Sequence, residues 1–231
     1  MTPLTELAVV TTATARHDLA RLFDALTDMQ ASLALRLRVV VVDDIGVWAS
    51  AQQANAFTRN YPALDTTVLR HDTPVGQFAA MLEGVLVHRH LNTLLIDPDM
   101  HGCLAGGEAL VAALRQADIV HCVRRQRPDI GPLRRLGSRL VNMLLRRITG
   151  LQVPDLQSPM MLLSARVLAS LPQAMAHPGN PRLYLYREFR HRIVCLPVDV
   201  RLPPDHRSHY TLAHLARLAI QVVADAWRLR S

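Results

Sequence analysis

Thr93-Leu94-Leu95-Ile96-Asp97-Pro98-Asp99-Met100-His101 is the stretch on which the fold turns. An apolar run of strand type ends abruptly in two carboxylates one residue apart, with a histidine two further on. A short apolar run without polar alternation fits a parallel strand buried on both faces. The carboxyl ends of such strands open onto the crevice where open α/β sheets bind ligands. Two carboxylates and an imidazole there are suitable donors for a divalent cation, and the cation can hold a diphosphate. Side chains alternate along an extended segment, so Asp97, Asp99 and His101 are expected to share one side, with Pro98 stiffening the gap. A solvated loop after a strand has a similar composition, so the pair does not decide the matter alone.

Outward from this stretch, strand and helix patterns alternate. Leu7 to Thr12 reads as a first strand. Arg16 to Leu35 places Leu19, Leu22, Phe23, Leu26, Met29 and Leu33 at spacings of three and four, which predicts an amphipathic helix. Leu37 to Val42 is a β-branched strand ending in Asp43-Asp44, and a helix over 49–60 stops before Pro62. Thr66 to Leu69 is a short strand, Val75 to Arg89 a helix, and Gly106 to Gln116 another helix. Asp118 to Val123 is a fifth strand that runs into Arg124-Arg125-Gln126-Arg127. This alternation predicts a doubly wound, mostly parallel sheet flanked by helices. The carboxylates of residues 43, 44, 97 and 99 and the arginines after Val123 then share one edge of that sheet.

Beyond Pro132 the pattern changes. Leu133, Leu136, Leu140, Leu144 and Ile148 form one helical face, flanked by Arg134, Arg135, Arg139, Arg146 and Arg147. Such a helix suits either a membrane interface or packing on the sheet with its arginines in solvent. Pro159 to Leu163 and a segment within Ile193 to Val200 read as strands. After Pro203-Pro204 a last amphipathic helix is expected from about Leu212 to Leu229, giving one domain over 1–202 and a helical tail over 203–231.

Composition narrows the partners. The 231 residues carry a formal charge of +7, and all of the basic residues are arginine, whose planar fork suits phosphate. Aromatics make up 4% and do not interleave with basic residues, so a nucleic-acid partner is not expected. The three cysteines show no CxxC spacing, which argues against a disulfide framework or a cysteine zinc site and fits a reducing cytoplasm. No signal peptide is expected from Met1 to Glu6, and no run reaches the ~18–20 apolar residues of a membrane span. The sequence contains no GxGxxG, no GxxxxGK[ST] and no GxSxG, which argues against dinucleotide, P-loop and serine-hydrolase chemistry. Asp43 or Asp44 is suited to accept hydrogen bonds from a ribose or base, or else to cap the next helix. Arg124, Arg127 and Arg139 are candidates for a diphosphate or a lipid phosphate.

The order of these pieces resembles the GT-A glycosyltransferases of the family-2 type. It is most similar to the polyprenyl-phosphate glycosyltransferases, the dolichol-phosphate mannose synthases and undecaprenyl-phosphate aminoarabinose transferases. The resemblance rests on Val42-Asp43-Asp44, Gly76-Gln77, Asp97-Pro98-Asp99-Met100-His101, Val123 to Arg127, Arg135 to Asn142 and Ser208-His209-Tyr210. It implies an inverting, metal-dependent transfer of a sugar from a nucleotide-diphosphate sugar to a polyprenyl phosphate, at the cytoplasmic face of the membrane. The carry-over makes Asp97 and Asp99 catalytic and places Asp43, Asp44, Gly76, Gln77 and Asp97 on the donor. Arg124, Arg127 and Arg139 would take phosphate, and Asp99 and His101 would hold Mg²⁺ or Mn²⁺. An anionic membrane surface would be a peripheral partner. The chain departs from the family pattern in several places, among them Asp43-Asp44-Ile45-Gly46-Val47-Trp48 where the family has DDGSxD, and the expected absence of the family's frequent C-terminal transmembrane helices. Thr11 to Ala15 lacks a carboxylate, His101 replaces a glutamine, and Pro159-Met160-Met161 lacks an arginine. These departures leave a second expectation, a catalytically degenerate domain that serves as a binding partner in an envelope-glycolipid pathway.

Overall fold

The computed structural model describes residues 4–13, 16–125, 132–156, 158–177 and 180–200, together with 220, 224 and 227. The expected tail helix, its boundary at 203 and the Ser208-His209-Tyr210 segment lie outside the described residues.

The core is a seven-stranded sheet in the order β3-β2-β1-β4-β6-β5-β7. The strands are β1 (Glu6–Thr12), β2 (Arg36–Asp43), β3 (Asp65–Arg70), β4 (Thr93–Leu95), β5 (Ile119–Arg124), β6 (Met161–Leu163) and β7 (Ile193–Val198). Only β6 runs against its neighbours, pairing antiparallel with β4 and β5. It divides the sheet into a β3-β2-β1-β4 half and a β5-β7 half. The helices are α1 (Arg16–Leu33), α2 (Ala51–Thr58), α3 (Gln77–Val87), α4 (Gly107–Leu114), α5 (Pro132–Thr149), α6 (Ala165–Ala169), α7 (Leu171–Ala176) and α8 (Pro181–Glu188). This is the mixed α/β, mostly parallel architecture expected from the sequence.

The apolar runs follow from a sheet covered on both faces. Alternate strand residues point to opposite sides. Leu7, Val9, Val39 and Val41 pack with Leu19, Leu22, Phe23 and Leu26 of α1. Val10, Val40 and Val42 pack on the other side with Met81 and Val85 of α3 and with Leu183 of α8. Each fully buried side chain of this size is worth roughly 1.5–3 kcal/mol, so a polar alternation in β2 would forfeit one of the two layers. Gly84 lets α3 approach closely: a Cβ there would lie 2.6 Å from Cγ1 of Val10 and 3.0 Å from Cγ2 of Val42.

One local expectation is corrected. The chain does not stay extended from Asp97 to His101, because a 3-10 helix spans Pro98–Gly106. Asp97 is its extended N-cap residue, Pro98 fits the first helical position, and the Met100 N–H donates to the Asp97 carbonyl at 2.9 Å. Alternating parity therefore does not place Asp97, Asp99 and His101 on one side. Among the described residues no helix is long and apolar enough to cross a membrane.

Candidate active site

The carboxyl edge of β1, β2 and β4 gathers the acidic residues. Asp43 ends β2 fully buried, with Oδ1 accepting from Val47 N at 2.7 Å and Oδ2 from Trp48 N at 3.2 Å. Nε of Arg70 lies 3.7 Å from the same carboxylate. Asp43 thus shapes the turn that leaves the sheet edge. Asp44 reaches further. It accepts from Val75 N at 2.8 Å and Gly76 N at 2.9 Å, and Nδ1 of His71 lies 2.7 Å away. Nε2 of His71 meets Glu83 of α3 at 2.9 Å. Burial pushes Asp44 up, but its bonds from His71, Val75 and Gly76 outweigh this and hold it below the usual carboxylate value. His71 is raised above the usual imidazole value, first by Asp44 and then, against its burial, by Glu83.

That network fixes the strap leading to α3. Gly76 has φ +95°, a conformation that L side chains rarely adopt, and it turns the chain into the first helical residue, Gln77. The Gln77 side-chain amide donates to Oδ1 of Asp97 at 2.5 Å and lies 3.5 Å from Oγ1 of Thr12. Asp97 keeps an opening to solvent, yet its carboxyl is ringed by protein. Burial, then the charge of Asp99, pushes its pKa up to about 7, against the pull of Arg182 and Arg124.

Two coupled carboxylates of this kind fit a hard divalent cation. Mg²⁺ binds through one or two carboxylates, substrate phosphates and retained waters rather than an all-protein cage. The expected third ligand is not brought in. Nδ1 of His101 lies 3.0 Å from the Pro98 carbonyl, and among the described residues no group of three or more His, Cys, Asp or Glu is arranged for a metal. Within the 3-10 helix the His101 ring is turned back to the Pro98 carbonyl and does not join Asp97 and Asp99.

The β5 half supplies the positive charge. Arg124 grips Asp155 through Nε at 2.7 Å and Nη2 at 2.9 Å. Asp155 sits at φ +50° in the left-handed region, which Asp tolerates better than most residues. Its carbonyl lies 3.0 Å from Nε2 of His121, whose Nδ1 lies 2.6 Å from the Tyr186 hydroxyl. Burial holds the His121 pKa down at about 4, so this ring is a neutral structural link at neutral pH. Arg127 lies outside the described residues, as does the side chain of Arg139.

Four residues of the site were not singled out from the sequence: His71, Asp155, Arg182 and Thr12. Arg182 carried a usable signal, because Asn180-Pro181 is a helix-start pair and the Asn180 side chain does accept from Arg182 N at 3.0 Å.

Comparison with solved structures shows the fold of GT-A glycosyltransferases. Glucosyl-3-phosphoglycerate synthase from Mycobacterium tuberculosis, solved with Mn²⁺, UDP-glucose and phosphoglyceric acid, superposes with a TM-score of 0.65 at 18% identity. That match covers 98% of this chain and 79% of the other. Mannosyl-3-phosphoglycerate synthase from Rubrobacter xylanophilus superposes with a TM-score of 0.67 at 17% identity, over 98% of this chain and 74% of the other. No protein-family model and no curated protein sequence matches the chain.

Proposed function

We propose that this chain is an inverting glycosyltransferase that moves a sugar from a nucleotide-diphosphate sugar to a polyprenyl phosphate at the cytoplasmic membrane face. The observation that carries the reading is the Asp97–Asp99 pair at the end of β4, tied to Gln77 and facing the arginines of the β5 half, within a GT-A fold. Asp97 and Asp99 would hold a Mg²⁺ or Mn²⁺, whose charge offsets the negative charge that develops on the leaving nucleotide diphosphate. Asp44 fixes the strap at Val75 and Gly76, and through it the position of Gln77 beside Thr12 and Asp97. This edge suits the donor. A phosphate acceptor is ionised near neutral pH, so its oxygen can attack the anomeric carbon without a dedicated carboxylate base. Attack opposite the leaving group inverts the configuration.

The membrane part of the reading is supported by α5. Leu140, Met143 and Leu144 are exposed on it, beside the exposed Arg146 and Arg147 of its last turns. An apolar ridge with flanking arginines suits an anionic lipid surface. A soluble phosphorylated acceptor is the second reading, favoured by the phosphoglyceric acid bound in the mycobacterial synthase. The test is a screen of nucleotide sugars with Mn²⁺ against undecaprenyl phosphate in liposomes and, in parallel, against 3-phosphoglycerate, with products read by mass spectrometry. Transfer to neither acceptor from any donor would defeat the transferase reading.

A further inference from the structure

Arg182 stands in the first turn of α8, near enough to Asp97 for the two charges to act on each other. Asn180 caps the helix and Pro181 starts it, so the position is set before the side chain makes any contact. Nη1 of Arg182 then donates to the carbonyls of Leu156 at 3.2 Å and Ser158 at 3.1 Å. The guanidinium carbon lies over the Phe78 ring, 4.5 Å from its centroid. Phe78 directly follows Gln77, so adjacent residues of α3 hold Asp97 and support Arg182.

All three supports are neutral. Arg124 has the Asp155 carboxylate as its counter-ion, but no described carboxylate is ion-paired with Arg182. The charges of Asp97 and Asp155 act on it, but among the described residues neither carboxylate makes a direct ion pair with it, so a mobile anion on the guanidinium offsets part of the cost of enclosing it. The residue remains partly exposed, so an anion can reach it. The two carbonyl bonds both use Nη1, and among the described residues the Nε–Nη2 edge makes no hydrogen bond. That edge is the fork that matches two oxygens of a phosphate. Stacking on Phe78 and the bonds to two carbonyls fix its direction in advance.

We propose that Arg182 is the acceptor-binding residue, receiving the phosphate group of the sugar acceptor on its free Nε–Nη2 fork. The proposal rests on the transferase reading above and specifies the acceptor as a phosphate-bearing molecule. It assigns the donor diphosphate to the β4 carboxylates and their cation, and the acceptor phosphate to the neighbouring Arg182 guanidinium. It also makes selectivity a matter of charge: an acceptor with a neutral hydroxyl head leaves the fork unanswered.

The test uses the full chain with Mg²⁺ and UDP or GDP present, and inorganic phosphate as the probe, read by ³¹P line broadening. Wild type should bind phosphate, and Arg182→Gln should weaken that binding by about ten-fold or more. Arg182→Lys should fall between them, and Arg21→Gln on the exposed face of α1 should match wild type. Calorimetry should show nucleoside diphosphate binding retained in Arg182→Gln. Equal phosphate affinity in wild type and Arg182→Gln, or no phosphate binding by wild type, would overturn the assignment. So would a loss of nucleotide binding as large as the loss of phosphate. If Arg182→Gln fails to fold, Arg182→Lys keeps the charge but lacks the fork, and unchanged phosphate affinity in that variant overturns the proposal equally. Failure of wild type to bind any nucleoside diphosphate would instead count against the transferase reading. Repeating the comparison with 3-phosphoglycerate and with vesicles bearing undecaprenyl phosphate identifies the source of the phosphate: the ligand retained by wild type and lost in Arg182→Gln is the acceptor type.

Discussion

The side-chain amide of Gln77 lies 2.5 Å from Oδ1 of Asp97, joining the first turn of α3 to the end of β4. A neutral donor in this place steadies the carboxylate without competing with a cation for charge. Replacing Gln77 by alanine should therefore leave the fold intact and weaken metal-dependent nucleotide binding by about three- to ten-fold, the usual net worth of such a hydrogen bond. Calorimetry with UDP or GDP and Mn²⁺ measures this, and an unchanged affinity would remove Gln77 from the site.

Asp97 should trade stability for binding. Its folded pKa of about 7 lies above the ordinary 3.8, so its stabilising contribution is full below the ordinary value and is lost as pH rises through 7. Above pH 7 the ionised carboxyl beside Asp99 is a net cost. Asp97→Asn removes that cost and should melt higher than wild type at pH 8, by roughly 2 kcal/mol after screening, with the gap closing toward pH 4. The same variant should lose metal-dependent nucleotide binding. A melting gap that does not depend on pH would show that Asp97 carries no such strain.

The ends of β2 and β4 were legible because an apolar run that stops in acidic residues has few readings in a parallel sheet. The geometry between those ends was not. Alternation from Asp97 to His101 presumed extended chain, and the 3-10 turn begun by Pro98 replaced it. Asp43 and Asp44 were legible as carboxylates, but their backbone partners Val47, Val75 and Gly76 depend on how two loops fold back. The β5 half was harder still. Arg124 finds Asp155 31 residues away, and Arg182 reaches Leu156 across 26 residues, so no local spacing records either contact. Composition names arginine as a phosphate ligand, but only the packing shows which arginine already has a counter-ion.

The His71 bridge makes the strap sensitive to alkali. Only a protonated imidazole can donate to Asp44 and Glu83 at once, and its folded pKa is raised above 6.5. Its stabilisation is complete below 6.5 and is lost as pH rises through the folded value. Asp44, held low, contributes in the opposite sense, and its share is lost only as pH falls below the ordinary 3.8 toward its folded value. Thermal unfolding from pH 5 to 9 should show a decline on the alkaline side in wild type that is much smaller in His71→Gln. Parallel curves would mean that the bridge does not titrate as argued.

Gly84 offers a direct check of the α3–sheet contact. A Cβ at this position meets Cγ1 of Val10 at 2.6 Å, and that valine is itself packed in the layer beneath α3. Gly84→Val should overpack the contact and cost about 1–3 kcal/mol, whatever helix propensity the new side chain adds. Because α3 carries Gln77 and Phe78 at its start, nucleotide binding should weaken together with stability. A denaturant midpoint equal to that of wild type would refute the close approach.

The Arg124–Asp155 pair can be separated into charge and conformation. Asp155 supplies both, since its carboxylate holds the guanidinium bidentately while its backbone sits at φ +50°. Asparagine tolerates the left-handed region nearly as well, so Asp155→Asn removes the charge and keeps the turn. Alanine removes both. Breaking one partner of an enclosed pair costs about 3 kcal/mol, and Asp155→Ala should lose more than Asp155→Asn by the strain of a non-glycine residue at positive φ, about 1 kcal/mol. In Asp155→Asn, Arg124 loses its counter-ion and becomes a second cation beside Arg182. Phosphate should then bind at least as tightly as in wild type despite the lower stability. Weaker phosphate binding in that variant, with the protein still folded, would mean that Arg124 serves the site only while Asp155 holds it in place.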